Sequence, residues 1–153
     1  MKTTDNLASV LKKAKPDDLA DVLKKNAEML TSADKPFAGY LRGLLKEKGL
    51  KQQDVFLSAD IPERYGYKLL SEQKRTRQRD VILRLCFAAH LTLDEMQRAL
   101  KLYGLSPLYS RLTRDAVLMV AVNNEVYEIQ AVNDLLEKHG QEPLQPCGAT
   151  DSV

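Results

Sequence analysis

Tryptophan is absent from this 153-residue chain, and cysteine and histidine occur only twice each. Cys86 and Cys147 are too few for the disulfide framework of a small secreted domain, and together with His90 and His139 they show no metal-ligand spacing. The sequence contains no run of about 18 apolar residues, which is the length that could span a bilayer. The first residues include Asp5 and lack the apolar stretch of a signal peptide. We therefore expect a cytoplasmic protein without metal, cofactor or membrane contact.

The sequence also lacks the residue sets that catalysis requires. No Ser/His/Asp arrangement, no glycine loop that cradles phosphate and no pair of carboxylates beside a base can be assembled from it. His90 and His139 each follow an apolar helical pattern, so we expect helix-end roles for them. The sequence predicts that the protein is not an enzyme and has no catalytic residues.

Positive charge is concentrated in the middle of the chain. Residues 37–110 contain thirteen Lys and Arg against eight Asp and Glu, whereas residues 111–153 contain three against seven, within a total of +2. A basic centre with an acidic end suits a module that binds a polyanion and keeps its tail away from it. A random spread of solvated charge would give a similar total, so the charge alone does not decide between the two.

Apolar residues recur at helical spacing along the chain, and no segment alternates as a strand does, so we predict an all-α protein. The pattern divides into an N-terminal helical extension and linker (1–36), a central domain (37–105), a C-terminal helical extension (106–140) and a flexible tail (141–153). The C-terminal extension is predicted to restart as a helix at Ser106-Pro107. Arg111, Arg114 and Asp115 are expected to form solvent-exposed pairs at its start.

Two short helices joined by a tight turn stand out in the central domain. The first is predicted from Gln52 to about Ser58, and the second begins at Pro62 and runs to about Ser71. Asp60 lies between them and can adopt the left-handed conformation that most side chains resist. Further along, Thr92 followed three residues later by Glu95 predicts a capping box.

This region resembles the Cro and phage-repressor family, which is also known for its xenobiotic-response-element regulators. The family opens one helix with Leu-x-Gln, as at Leu50 and Gln52, and has Ile at the start of the next, as at Ile61. Its later Leu-Thr-Leu-Asp-Glu-Leu type of pattern is matched by residues 91–96. The resemblance extends from about Leu41 to Met96 and implies a lambda-repressor-like, five-helix domain that contains a helix-turn-helix.

The resemblance also implies a function, namely sequence-specific binding of double-stranded DNA by a homodimeric transcriptional regulator. In the family, the helix that corresponds to 62–71 enters the major groove, while Tyr65 and Leu69 would pack inward. The residues facing the bases would be Pro62, Glu63, Arg64, Tyr67 and Lys68. Those contacting phosphates would be Gln52, at a helix start, and Lys74, Arg75, Arg77 and Arg79 in a basic loop.

Departures from the family pattern leave a second interpretation open. Phe56 stands where the family has Ala, and Gly66 replaces a buried Val or Ile, so we expect the glycine to make room for the ring. Glu63 would be repelled by phosphates unless it accepts from a cytosine amino group. The alternative is a non-catalytic protein-interaction adaptor whose helices within 107–139 bind a protein partner. Apolar stripes in 1–30 and 107–139 are the candidate surfaces for dimerisation.

Overall fold

The computed structural model describes Lys12, Lys15 and residues 36–147. The chain divides into two compact units, Met1–Pro36 and Phe37–Val153. The helical prediction for residues 1–35 therefore lies outside the described residues, apart from the two lysines, and so does the last part of the predicted tail, 148–153.

This described segment contains seven α-helices and no strand, which confirms the all-α prediction. The helices are α1 (Pro36–Lys48), α2 (Gln52–Ala59), α3 (Glu63–Leu70), α4 (Arg79–Ala88), α5 (Leu93–Tyr103), α6 (Thr113–Asn123) and α7 (Ile129–Lys138). None of these helices is long and apolar enough to cross a membrane.

Helix α4 lies at the centre of the core. Its residues from Val81 to Ala88 are all buried, as expected for a helix that is apolar on nearly every side. It packs against α2, α5 and α7, so the C-terminal helices share one hydrophobic core with the segment that contains α2 and α3. The one charged side chain within this buried stretch is Arg84, which is 5% exposed.

The helix ends follow the local sequence signals. Thr92 accepts a hydrogen bond from the Glu95 backbone N–H, and the Glu95 carboxylate accepts one from the Thr92 N–H, which confirms the capping box. Burial would raise the pKa of Glu95, but these bonds and Lys48 hold it below the ordinary value. Asp60 adopts the left-handed conformation with φ of 57°, as predicted. His90 does the same after α4, at the helix end where it was expected.

The predicted helix start at Ser106-Pro107 is wrong, because α6 begins only at Thr113. The side-chain amide of Gln97 bonds both backbone groups of Leu108, at 2.7 and 2.9 Å. The Tyr109 N–H donates to the Asp115 carboxylate at 2.9 Å. Side chains therefore satisfy a backbone that has no helical partners, and the segment stays irregular.

Residues 141–147, which we call the C-terminal strap, were predicted to be part of a flexible tail, and that prediction is wrong for them. Leu144 is buried in the core, and its N–H donates to the Asn133 side chain at 2.8 Å. The Gln145 N–H donates to Asp80 at 2.9 Å. The strap forms no helix of its own, and side chains of α4, α6 and α7 bind its backbone N–H and carbonyl groups.

Candidate nucleic-acid interface

Helix α3 has one buried face and one open face. Tyr65, Gly66, Leu69 and Leu70 are buried, as the sequence predicted for Tyr65 and Leu69. The opposite face carries the predicted base-facing residues: Pro62, Glu63 and Arg64 are exposed, Tyr67 is 42% exposed and Lys68 is half-buried. Four polar or aromatic side chains of this eight-residue helix are thus presented together, next to Pro62, which precedes it.

The contact between Phe56 and Gly66 sets how closely α2 approaches α3. Phe56 is 1% exposed, and a Cβ added at Gly66 would lie 2.5 Å from two atoms of its ring. The expected pairing of a small residue with a large one is therefore confirmed. The same ring makes an edge-to-face contact with Tyr67, with centroids 4.9 Å apart. Phe56 thereby supports, from below, one of the aromatic side chains on the open face.

The start of α2 lies next to the start of α3. Lys51 precedes α2 in an extended conformation, and no side chain caps the helix there. The first N–H groups of a helix have no partner within it, so those beside Gln52 can bind an acceptor from outside. Gln53 donates from its side-chain amide to Glu63 at 3.5 Å and so draws this carboxylate toward α2.

The basic loop after α3 contains two kinds of cationic residue. Arg77 is exposed and Lys74 is half-buried. Arg75 is engaged by the fold: it pairs with Glu72 at 2.7 Å, donates to the Tyr103 carbonyl and lies 4.2 Å above the Tyr103 ring. Its side chain is nevertheless 52% exposed. Arg75 therefore binds other parts of the fold, and only the exposed edge of its guanidinium group is left to contact a phosphate.

Arg79 does not belong to this basic surface. Its two terminal nitrogens bond the Asp115 carboxylate at 2.6 and 3.2 Å, and one of them also approaches the carbonyls of Ser106 and Pro107. Asp115 is 1% exposed and the Arg79 side chain is 23% exposed, so this is a partly buried ion pair that joins α4 to α6. We correct the predicted phosphate role of Arg79 accordingly.

The expectation of solvent-exposed pairs at Arg114 and Asp115 is also wrong, because both residues pair with residues of α4. Arg114 binds Asp80 through two hydrogen bonds of 2.9 and 3.0 Å, and it donates to the carbonyls of Glu142 and Pro143 in the strap. Both residues at the start of α6 therefore form ion pairs with α4 rather than with each other, and Arg114 also binds the strap.

Arg84 is a residue of this region that the sequence did not single out. It donates to the carbonyls of Leu144 (2.7 Å), Gln145 (2.8 Å) and Ala59 (3.2 Å), the last being the final residue of α2. Burial lowers the pKa of Arg84, and the carboxylates of Asp60 and Asp80 oppose the shift. Its signal was a lone arginine in the apolar run from Val81 to Ala88, which is costly to bury unless carbonyls surround it.

The strap ends beside α3. An open groove of about 480 Å³ lies between them, and it is lined by Gln53, Phe56, Leu57, Asp60, Ile61, Pro62, Glu63, Pro146 and Cys147. The acidic side chains of this rim lie toward α2, whereas the cationic side chains follow from Arg64 onward. The open face of α3 is therefore electrostatically uneven along its length.

Within residues 36–147 and the two described lysines, no group of three or more His, Cys, Asp and Glu side chains is placed to hold a metal ion. Comparison with protein-family models, with curated proteins and with solved structures finds no match for this chain. The geometry of α2, α3 and the basic loop must therefore carry any functional conclusion.

Proposed function

We propose that the protein is a sequence-specific regulator that binds double-stranded DNA in the cytoplasm, with α2 and α3 as a helix-turn-helix of the phage-repressor type. The observation that carries the proposal is the open face of α3, on which Pro62, Glu63, Arg64 and Tyr67 are exposed while the opposite face of the helix is buried. A helix presented in this way fits the width of the major groove.

The side chains on α3 suggest which groups would contact the bases. Arg64 can donate two hydrogen bonds to a guanine, and Glu63 can accept one from a cytosine amino group. Pro62 and Tyr67 offer apolar surface to a thymine methyl group. Lys68 lies farther along the same face, toward the basic loop, and can reach either a base edge or a phosphate.

Phosphate binding would come from both sides of this helix. On one side are Gln52 and the uncapped N–H groups of α2, and on the other are Lys74 and Arg77. The acidic residues Asp54, Asp60 and Glu63 near α2 weaken attraction on that side, so the basic loop should supply most of the salt-dependent affinity.

The test is selection of bound fragments from a random duplex library, followed by affinity measurements at several salt concentrations. With about four phosphate contacts, the slope of log K against log salt should be roughly −3.5. Arg77→Ala should weaken all duplexes alike and reduce the slope by about 1, whereas Arg64→Ala should change the preferred sequence. Arg98→Ala, an exposed arginine of α5, is the matched control. No enriched sequence, or a flat slope, would contradict the proposal.

A second candidate function is the protein-interaction adaptor, and one observation favours it. Helix α6 exposes large apolar side chains, with Leu112 at its start 53% exposed and Val120 56% exposed. An adaptor would purify with a stoichiometric protein partner that survives nuclease treatment, and its affinity for duplexes would be negligible. We place DNA binding first because the open face of α3 and the exposed Arg77 have no role in an adaptor that uses α6 and α7.

A further inference from the structure

Leu57 is the most exposed large apolar side chain in the part of the chain that the structure describes. It is 81% exposed on α2, whereas its neighbour Phe56 is buried. One exposed leucine is ordinary on a monomer. Leu57, however, lines the open groove of about 480 Å³ between the strap and α3, which we call the strap groove. The other apolar side chains of its lining are Phe56, Ile61, Pro62 and Pro146. An exposed apolar side chain and an apolar groove therefore lie together.

The charged side chains that line the strap groove are both acidic. They are Asp60 and Glu63, and no Lys or Arg is among the lining residues. Neither carboxylate forms an ion pair with any residue that the structure describes. Glu63 accepts a 3.5 Å hydrogen bond from the uncharged amide of Gln53. Asp60 attracts the buried Arg84, but the hydrogen bonds of this arginine go to carbonyl groups. The groove therefore has a negative rim without a cationic partner.

This combination favours one kind of occupant. An apolar groove with two carboxylates is complementary to an apolar side chain that lies next to a cation. The residues after Cys147 include Asp151 and no Lys or Arg, so they do not offer that charge. A second copy that used the same face would bring its own carboxylates against these two, and DNA would bring phosphates, so like charges would meet in both cases.

The shape of the groove also favours a chain segment over a small molecule. Pockets for small molecules bury roughly 70–90% of the surface of their ligand. The strap groove is open and covers a ligand from one side only. A segment of another protein can make further contacts beyond the groove, on α2 and on the strap, and so does not depend on enclosure.

We propose that the strap groove binds an extended segment of a partner protein in which an apolar side chain lies next to Lys or Arg. The apolar side chain would pack against Leu57, and the cation would pair with Asp60 or Glu63. Because Pro62 and Glu63 line the groove and also lie on the open face of α3, the bound segment would cover the start of this helix. The partner would therefore compete with duplex DNA. This competition rests on the DNA-binding function proposed above, whereas the binding of the segment does not.

The first experiment selects peptides from a phage-displayed library of random sequences on the immobilised full chain. We expect the enriched peptides to contain an apolar residue next to Lys or Arg. A fluorescent synthetic copy of the most enriched peptide should bind the full chain with a dissociation constant on the order of 10 µM, as measured by anisotropy. Enrichment of acidic peptides overturns the proposal. So does the absence of enrichment, which is also the result if another part of this chain already fills the groove.

Substitutions locate the bound peptide. Leu57→Ala should weaken its binding about tenfold, since an apolar contact is lost, and Val120→Ala, at a 56% exposed residue of α6, is the matched control. Binding of the peptide to Leu57→Ala as to the wild type overturns the proposal. Because Leu57 is exposed, its replacement should leave the fold intact, which thermal unfolding verifies.

A second pair of variants tests the charge. The double variant Asp60→Asn, Glu63→Gln should weaken peptide binding about 3- to 10-fold at low salt and less at high salt, because its two lost ion pairs are exposed and screened. Asn tolerates the left-handed conformation of residue 60 as Asp does. Glu47→Gln, at an exposed carboxylate of α1, is the control and should bind as the wild type does. Equal affinities of the double variant and the control overturn the proposed pairing.

Further outcomes separate this inference from the proposed function. The peptide should displace a duplex selected by the wild-type chain, and it should do so poorly with Leu57→Ala, which keeps its affinity for the duplex. Simultaneous binding of peptide and duplex overturns the competition. Self-association of the chain that is lost in Leu57→Ala, as measured by sedimentation equilibrium, makes a second copy the occupant and overturns the proposal. Peptide binding that depends on Leu57 in a chain that selects no DNA sequence supports the groove and contradicts the DNA-binding function alone.

Discussion

A glycine inside a helix usually weakens it by roughly 1 kcal/mol relative to alanine. Gly66 is in the middle of α3, and its missing side chain is what lets the Phe56 ring lie against the helix backbone. The ring in turn supports Tyr67 on the open face. A single hydrogen in place of a methyl group therefore determines how α3 is held against α2.

Two glycine substitutions should show opposite effects on stability. Gly66→Ala would place its Cβ 2.5 Å from the Phe56 ring, so we expect the free energy of unfolding to fall by about 1–3 kcal/mol. Gly43→Ala, in α1, meets nothing within 4 Å and should raise it by up to about 1 kcal/mol. Urea unfolding measures both values. If Gly66→Ala were as stable as Gly43→Ala, the ring would not be fixed against α3.

At this scale the sequence predicted conformations well and partners poorly. The left-handed Asp60, the Thr92 capping box and the fit of Phe56 to Gly66 are local or depend on size alone, and all three are confirmed. Arg79 was assigned to DNA because it is next to other cations in the chain. Its actual partner, Asp115, is thirty-six residues away, and no local pattern records such a contact.

Among the structural elements, the C-terminal strap connects parts of the molecule that lie far apart in sequence. It is held by Arg84 of α4, by Asp80 at the start of the same helix and by Arg114 of α6. Arg84 also bonds the last carbonyl of α2, immediately before the turn that leads to α3. One buried guanidinium therefore fastens both the strap and the end of α2.

Replacing Arg84 should release the strap. Arg84→Met keeps much of the side-chain volume but leaves three carbonyls without their donor, so we expect a loss of about 3 kcal/mol in the free energy of unfolding. Hydrogen exchange should accelerate at the amides of Leu144 and Gln145 before it does in α4. Arg98→Met, which removes an exposed arginine that lies over the Tyr40 ring, should change neither quantity. Unchanged exchange at both strap amides would contradict this role of Arg84.

The elements themselves were predictable where backbone and side chains follow a helical pattern. Helices α2 and α3 begin and end within about two residues of the predicted positions, which is the usual uncertainty of a helix end, and α5 begins directly after the predicted capping residue Thr92. The segments before α6 and after α7 could not be predicted in this way, because side chains from elsewhere in the chain bind their backbone groups. The sequence predicts a helix start at Ser106-Pro107, but the Gln97 side chain binds the backbone of Leu108, eleven residues further along the chain, and no helix forms there.

At the scale of the whole molecule, the predicted division into a central domain and a C-terminal extension is too sharp, because both parts contribute residues to one hydrophobic core. Leu118, Val132, Leu136 and Leu144 belong to the same core as α1 to α5. The interior carboxylate that binds Arg79 also comes from the C-terminal part. Both observations indicate that the helices before and after residue 105 are stabilised together.

A fragment ending at residue 105 should therefore not fold. It would expose apolar surface on α4 and leave Arg79 without its carboxylate, and each loss is a large fraction of the stability of a small domain. Residues 36–147 should instead unfold in one cooperative thermal transition, as followed by circular dichroism. A cooperative transition in the fragment 37–105 would show that the central domain is independent after all.

The position of Cys147 allows a fluorophore to be attached to the wild-type sequence without an added cysteine. Cys86 is fully buried, and burial raises its pKa to about 12, so its thiolate is scarce at neutral pH. Cys147 is only half-buried and borders the same groove as Pro62 and Glu63. A maleimide fluorophore would attach there selectively and sit at the edge of α3. Its emission could then follow the arrival of a duplex in stopped-flow experiments, with every side chain of α3 left in its native form.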